Sequence, residues 1–91
     1  MTTLDDIDRM RDDREIDGLI RALYDEDEFV RAQAALSLGA LADPRAKDHL
    51  DLMQNEDPSP SARDAAATAY RWLVGRLEEV EAARGSRKRR T

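Results

Sequence analysis

An internal repeat constrains this chain more than any other feature of its sequence. Residues 29–41 return 32 positions later as residues 61–73, and an acidic turn precedes each copy. The two copies share the same residue at four positions: Arg31 and Arg63, Ala34 and Ala66, Ala35 and Ala67, and Leu41 and Leu73. A period in this range is typical of stacked helical hairpins. The repeat therefore predicts an all-helical array.

Caps and helix breakers divide the chain into about five predicted helices. Thr3 with Asp6 three residues later is close to a capping box, and Pro60 begins the last helix. Asp43 and Pro44 end one helix and begin the next. The predicted helices cover residues 4–11, 14–24, 28–42, 44–54 and 60–84.

The expected fold class is all-α, in the form of a short right-handed α-solenoid. We divide it into a half-unit (4–11) and two hairpins (14–42 and 44–84), followed by a disordered basic tail (85–91). The third helix carries two apolar stripes, so we expect it to be sandwiched between neighbours. The first stripe is Val30, Ala34, Leu38 and Leu41, and the second is Phe29, Leu36 and Ala40.

Composition excludes several functional classes. The chain has 91 residues, which is enough for one domain, and its lack of cysteine excludes disulfides and thiolate chemistry. Its acidic start lacks the apolar segment of a secretory signal. No apolar run approaches the roughly 20 residues of a membrane span. We therefore expect a cytoplasmic protein without a membrane segment.

Charge is distributed unevenly along the chain. Residues 1–84 hold all 20 acidic and 11 basic residues, a net charge of −9, whereas the last seven residues hold four basic residues and no acidic one. Aspartates outnumber glutamates 13 to 7, and only two of the 15 basic residues are lysines. This surface resembles that of proteins from salt-loving archaea, whose self-repulsion salt screens. A GC-rich genome, which favours arginine and alanine, is the alternative explanation.

The repeat resembles the HEAT repeat, in the short form of phycobilisome bilin-lyase-like proteins. In the first copy the residues that carry this resemblance are 19–27, Val30, Arg31, Ala34, Ala35, 38–41 and 43–46. In the second, degenerate copy they are Leu50, Asp57, Arg63, Ala66, Ala67 and Leu73. The resemblance covers about residues 14–84 and implies an α-solenoid whose second helices line an inner, concave face.

This resemblance implies two roles for the arginines that open the second helices. The aspartate of a turn and such an arginine can form a charge-assisted pair across repeats, which gives Arg31 and Arg63 a structural role. Alternatively, the arginines contact a ligand on the inner face. The candidate partner-binding residues on that face are Arg31, Ser37, Arg63 and Arg71.

Catalytic and cofactor chemistry finds little support in these residues. His49 is the only histidine and has no neighbouring nucleophile, so we expect no catalytic residue, no metal site and no cofactor. The acidic run 25–28 lacks the glycine and the final glutamate of a calcium loop, which favours a solvated helix cap. Two hairpins are too few to enclose a tetrapyrrole. The sequence thus indicates a non-enzymatic protein.

Two further features leave alternatives open. Trp72 either caps the end of the helical stack or forms an interface with another chain, a homodimer being one version. The basic tail residues either contact nucleic acid phosphates or only solubilise the chain end; these residues are Arg87, Lys88, Arg89 and Arg90.

The leading hypothesis for function is a non-enzymatic, HEAT-type adaptor that binds another protein. The first alternative is a nucleic-acid accessory protein that uses the basic tail. The second is a remnant or subunit of a bilin-lyase-like enzyme.

Overall fold

A computed structural model describes residues 1–88, with side chains described for residues 1–84. Within this part of the chain there are five α-helices and no strands: α1 (Leu4–Asp12), α2 (Ile16–Ala22), α3 (Glu28–Leu41), α4 (Lys47–Glu56) and α5 (Pro60–Lys88). A short 3-10 turn, Pro44–Ala46, leads into α4. The predicted all-α solenoid is confirmed.

The helices stack in the order that the repeat predicts. α2 pairs with α3, α4 pairs with α5, and α3 packs against α1 and α2 on one side and α5 on the other. This arrangement confirms that α3 is sandwiched. Because α1 packs against both α2 and α3, it covers one end of the stack.

The core is built from aliphatic side chains and alanines. Seven of its sixteen buried apolar residues are alanines, and these small residues allow helices to approach closely. Equivalent positions of the two repeats are buried together, as Ala34 and Ala66 show. The complete set is Ile7, Ile16, Leu19, Ala22, Leu23, Val30, Ala34, Ala35, Leu38, Ala46, Leu50, Met53, Ala62, Ala66, Ala69 and Leu73.

α3 and α5 cross closely at Gly39. A Cβ atom built on Gly39 would lie 2.6 Å from Ala69 Cα and 2.7 Å from Ala69 Cβ, closer than real Cβ contacts allow. Glycine at this position is therefore required by packing rather than by backbone conformation. Gly18 of α2 similarly faces Met10 of α1, whose flexible Sδ lies 2.6 Å from the built Cβ position.

Three caps form as the sequence predicts. Thr3 and Asp6 form a complete capping box at the start of α1. Asp43 accepts a hydrogen bond from Arg45 N at 2.9 Å ahead of α4. The acidic run before α3 also acts as a cap, because Asp27 Oδ1 accepts from Phe29 N at 2.8 Å.

The second apolar stripe predicted for α3 is wrong. Phe29 is 65% exposed and Ala40 is exposed, whereas Ala35 and Gly39 are buried. The second packing face of α3 is therefore made of small residues, because α5 approaches too closely for large side chains.

Several helix boundaries also differ from the prediction, among them the start of α2 and the end of α5. α2 begins at Ile16 rather than 14, because Arg14 adopts a left-handed conformation with φ of 55°. α5 continues through Lys88, four residues beyond the predicted end, so residues 85–88 of the expected disordered tail are helical. Residues 89–91 of that tail lie outside the described residues.

Candidate binding groove and the junction between the hairpins

A buried ion pair joins the two hairpins. Arg31, at the start of α3, donates from Nε to Asp57 Oδ2 at 2.8 Å and from Nη2 to Asp57 Oδ1 at 3.0 Å. The two side chains are only 12% and 5% exposed. Such a bidentate arrangement is stronger than a neutral hydrogen bond and fixes the relative orientation of its partners.

The same arginine also forms hydrogen bonds to the turn of its own hairpin. Arg31 Nη1 donates to the carbonyl oxygens of Asp25 at 2.8 Å and Glu26 at 3.0 Å. Arg63, its repeat equivalent, donates from Nη1 to Asp57 O at 2.7 Å. Each arginine therefore bonds the carbonyl six residues before it.

Opposing effects determine the pKa of Asp57. Burial of the carboxyl group favours its neutral form and would raise the pKa. This effect is outweighed by hydrogen bonds from Arg31 and from Ser59 N and by the charges of Arg31 and Arg63. The net result is a lowered pKa. The hydrogen bond to Asp57 correspondingly raises the pKa of Arg31, against the effect of its own burial. Asp57 is therefore ionised at neutral pH.

A surface groove lies where the end of α3 meets the middle of α5. Its floor is made of small and apolar residues, namely Gly39, Ala40, Leu41, Ala42 and Gly75. Its rim carries Arg14, Arg71, Trp72, Arg76 and Glu79. We call this the α3–α5 groove; it encloses about 690 Å³. Because α3 ends at Leu41 while α5 continues, the groove opens beside the exposed part of α5.

The groove is basic on an otherwise acidic domain. Three arginines and one glutamate line it, although residues 1–84 carry a net charge of −9. Among those residues, whose side chains are described, no carboxylate forms an ion pair with Arg14, Arg71 or Arg76. The rim therefore presents three arginines and one glutamate, a net charge of 3 − 1 = +2, to an approaching molecule.

Two residues that line the groove have notable backbone properties. A Cβ built on Gly75 would meet no atom within 4 Å, so packing does not require this glycine. Glycine within an exposed helix costs about 1 kcal/mol relative to alanine. Ala42, which belongs to the groove floor, caps α3 in the left-handed conformation, with φ of 54°.

The structure places the candidate residues predicted from the sequence in different environments. Arg31 lies in the ion pair with Asp57, which matches its structural interpretation and leaves no free donor edge for a ligand. Ser37 was expected on the inner face but is buried at 1% exposure, so that placement is wrong. Its position on α3 faces the core, where its repeat equivalent is the buried Ala69.

Arg63, Arg71 and Trp72 are at least partly accessible to solvent. Arg71 and Trp72 both lie on the rim of the α3–α5 groove, and Trp72 is 50% exposed. Arg63 lies apart from them near the start of α5 and is partly exposed. Arg87 and Lys88 fall within α5 but their side chains are not described, and Arg89 and Arg90 lie outside the described residues.

Arg76, Gly75 and Arg14 are among the groove residues that sequence reasoning missed. Arg76 follows Trp72 by four positions, so their shared face of α5 was a usable signal. Gly75 was recognisable as an isolated glycine in a long helix. Arg14 reaches the groove from the α1–α2 connection, and no local pattern predicts that approach.

A second, smaller cleft lies between the ends of α2 and α4. Tyr24 Oη and His49 Nδ1 share a hydrogen bond there at 2.8 Å, and their rings are arranged edge to face. Leu52, which is 47% exposed, lines the same cleft. His49 is thus a partly buried helical residue with a tyrosine partner.

Comparisons with known proteins identify the repeat. The family model described as HEAT repeats matches residues 2–71, which is most of the chain. No curated protein and no solved structure matches the chain. None of the helices in the described part of the chain is both long and apolar enough to cross a bilayer.

Proposed function

The chain belongs to the HEAT-repeat family, and on that premise we propose that it is a non-enzymatic interaction module that binds another protein in the α3–α5 groove. HEAT repeats generally mediate contacts between proteins. The ligand of this groove is an acidic segment of the partner protein.

The observation that carries the proposal is the electrostatic contrast at the groove. Arg14, Arg71 and Arg76 surround a floor of small residues on a domain rich in carboxylates. Potentials of opposite sign steer association and select partners. Trp72 adds an aromatic surface, and exposed tryptophan and arginine are common energetic centres of interfaces.

Trp72 also provides the assay, because it is the only tryptophan in the chain. We would titrate a short poly-aspartate peptide into the full chain at low salt and follow Trp72 emission. The proposal expects a saturable change that weakens about tenfold or more, equivalent to about 1.4 kcal/mol, in the double variant Arg71→Ala, Arg76→Ala.

The matched control is the double variant Arg21→Ala, Arg84→Ala. These arginines are exposed and lie outside the groove, and the two double variants have the same net charge. Equal weakening in both would show attraction to net charge alone and would overturn the proposal. An unchanged Trp72 emission throughout the titration would overturn it as well.

A capture experiment from source-cell lysate near native salt separates this function from the alternatives. The adaptor function expects a protein that is retained by wild type and lost with Arg71→Glu, Arg76→Glu. The nucleic-acid alternative expects nucleic acid that disappears when all four basic tail residues become glutamine. The enzyme-remnant alternative expects a bound chromophore. Nucleic acid or chromophore without a groove-dependent protein would contradict the adaptor function.

Finer assignments form part of the same proposal. The offset of 32 between repeats supports the short bilin-lyase-like subclass within the family. The acidic, lysine-poor composition supports a halophilic origin, and the absence of cysteine supports a cytoplasmic location. Homodimer formation through Trp72 is the alternative use of the groove rim.

A further inference from the structure

Arg31 and Arg63 occupy equivalent positions in the two repeats. Their Nη1 atoms make the same contact, but the Nε–Nη2 edges of their guanidinium groups do not. Arg31 and Arg63 each donate from Nη1 to the carbonyl of their own turn, at 2.8 and 2.7 Å. Arg31 then uses its Nε and Nη2 edge to hold the carboxylate of Asp57 in the following turn. Among residues 1–84, no carboxylate occupies the corresponding edge of Arg63.

The guanidinium of Arg63 is held in place before any ligand arrives. Its Nη1 bond to Asp57 O fixes one side of the fork, and the side chain is partly buried. A fixed donor loses less conformational entropy on binding than a mobile surface arginine. Arg63 also lies in the first turn of α5, where the helix dipole disfavours a positive charge and an added carboxylate would be favourable.

We propose that the Nε–Nη2 edge of Arg63 binds the carboxylate of an aspartate in a turn of a partner protein. The geometry is the one by which Arg31 binds Asp57 within the chain. In that bound turn, Asp57 Oδ1 also accepts a hydrogen bond from Ser59 N at 2.9 Å. The expected ligand is thus an aspartate that is held by its own turn and has one carboxylate edge free.

The outer face of α5 explains why the partner supplies a turn rather than another closely packed helix. Gly39 permits the close crossing of α3 and α5, because any Cβ there would contact Ala69. The equivalent position on α5, 32 residues later, is Arg71, which is exposed. A long side chain at this position is incompatible with the close crossing that Gly39 allows, so a turn that reaches Arg63 is favoured over a closely packed helix.

The chain itself supplies the probe. We would titrate a peptide of residues 55–60, capped at both ends, into the full nitrogen-15-labelled chain and follow the arginine Nε–H resonances by NMR. The proposal expects a saturable shift of the Arg63 resonance, with a dissociation constant on the order of 1 mM, or about −4 kcal/mol. The Arg31 resonance should not move, because Asp57 already occupies that edge.

Two variants make the test specific. A peptide with Asp57→Asn keeps the neighbouring Glu56 charge and should leave the Arg63 resonance in place. In the chain, Arg63→Lys keeps the positive charge but loses the fork. Peptide binding to this variant, followed by the backbone amide resonances of the first turn of α5, should be weaker about tenfold or more. An unshifted Arg63 resonance with the native peptide, or equal shifts with both peptides, would overturn the proposal. Because the readout is Arg63 rather than Trp72, its failure is distinguishable from failure of the groove.

Discussion

Replacing Asp57 with asparagine should destabilise the fold strongly, because it leaves a buried guanidinium without its counter-charge. The Asp57 carboxylate accepts two hydrogen bonds from Arg31 and one from Ser59 N, and it is 5% exposed. Asparagine keeps one oxygen for the turn but presents an amide donor to an arginine that can only donate. Breaking a buried pair on one side costs about 3–5 kcal/mol.

The repeat offers a matched control for this change. Asp25 Oδ1 accepts from Asp27 N at 2.9 Å, just as Asp57 Oδ1 accepts from Ser59 N, but Asp25 has no arginine ion pair among residues 1–84. Asparagine forms this type of turn as readily as aspartate. Asp25→Asn should therefore change the unfolding free energy by less than about 0.5 kcal/mol.

The assay is urea unfolding followed by circular dichroism, at one fixed salt concentration. For Asp57→Asn we expect an unfolding free energy about 3 kcal/mol lower than that of Asp25→Asn. In thermal unfolding, its Tm should be lower by about 12–24 °C. If this variant does not fold, Arg31→Lys provides a milder break, since lysine keeps the charge but loses the bidentate fork. Losses that agree within about 0.5 kcal/mol for the two asparagine variants would refute the reasoning.

Three further predictions concern packing and pH. Gly39→Ala should lower the unfolding free energy by about 1–3 kcal/mol in urea, because its Cβ would overlap Ala69; unchanged stability would contradict the close crossing. Ser37→Ala should raise it by about 1 kcal/mol, since the buried Ser37 hydroxyl has no hydrogen-bond partner among the described residues; a loss of stability would count against this. Because the pKa of Asp57 is lowered in the folded state, its contribution to stability is complete above the unfolded pKa of about 3.9 and is lost as pH falls through the folded pKa. The urea midpoint should therefore fall less steeply with decreasing pH in Asp57→Asn than in wild type. Parallel curves for the two proteins would contradict this linkage.

The order and type of the helices could be predicted from the sequence because the signals are local. Proline at residues 44 and 60 and the capping box at Thr3 set boundaries that tertiary packing does not move. The family resemblance implied that Arg31 could pair with the aspartate of a turn, and the structure contains that pair with Asp57. These features depend on residues a few positions apart or on one fixed offset.

The rotation of each helix about its axis was harder to predict. Hydrophobicity favoured Phe29 as a packing residue of α3, yet the close approach of α5 selects Ala35 and Gly39 instead. The same uncertainty placed Ser37 on the wrong side of α3. A small residue at a helix crossing gives a weaker signal in sequence than a large apolar one, although its position is more tightly constrained.

The groove combines segments that are distant in the chain, which limited its prediction. Arg71 was predicted because the family resemblance places second helices on the inner face, and Trp72 because it lies at the margin of the apolar stripe of α5. Arg14 reaches the rim only through the left-handed conformation of the α1–α2 connection. A non-glycine residue at positive φ carries no reliable sequence signal, so this contribution required the three-dimensional structure.

The overhang of α5 gives the molecule two regions of very different local stability. Leu77 is the last partly buried residue of the helix among the side chains that the structure describes, and residues 78–84 are all exposed. Helical segments of this length are marginal without tertiary support. Amide protons in these last turns should therefore exchange with solvent much faster than those around Ala66. A ligand that contacts Glu79 would slow this exchange, so local ordering of a helix end would accompany occupancy of the groove.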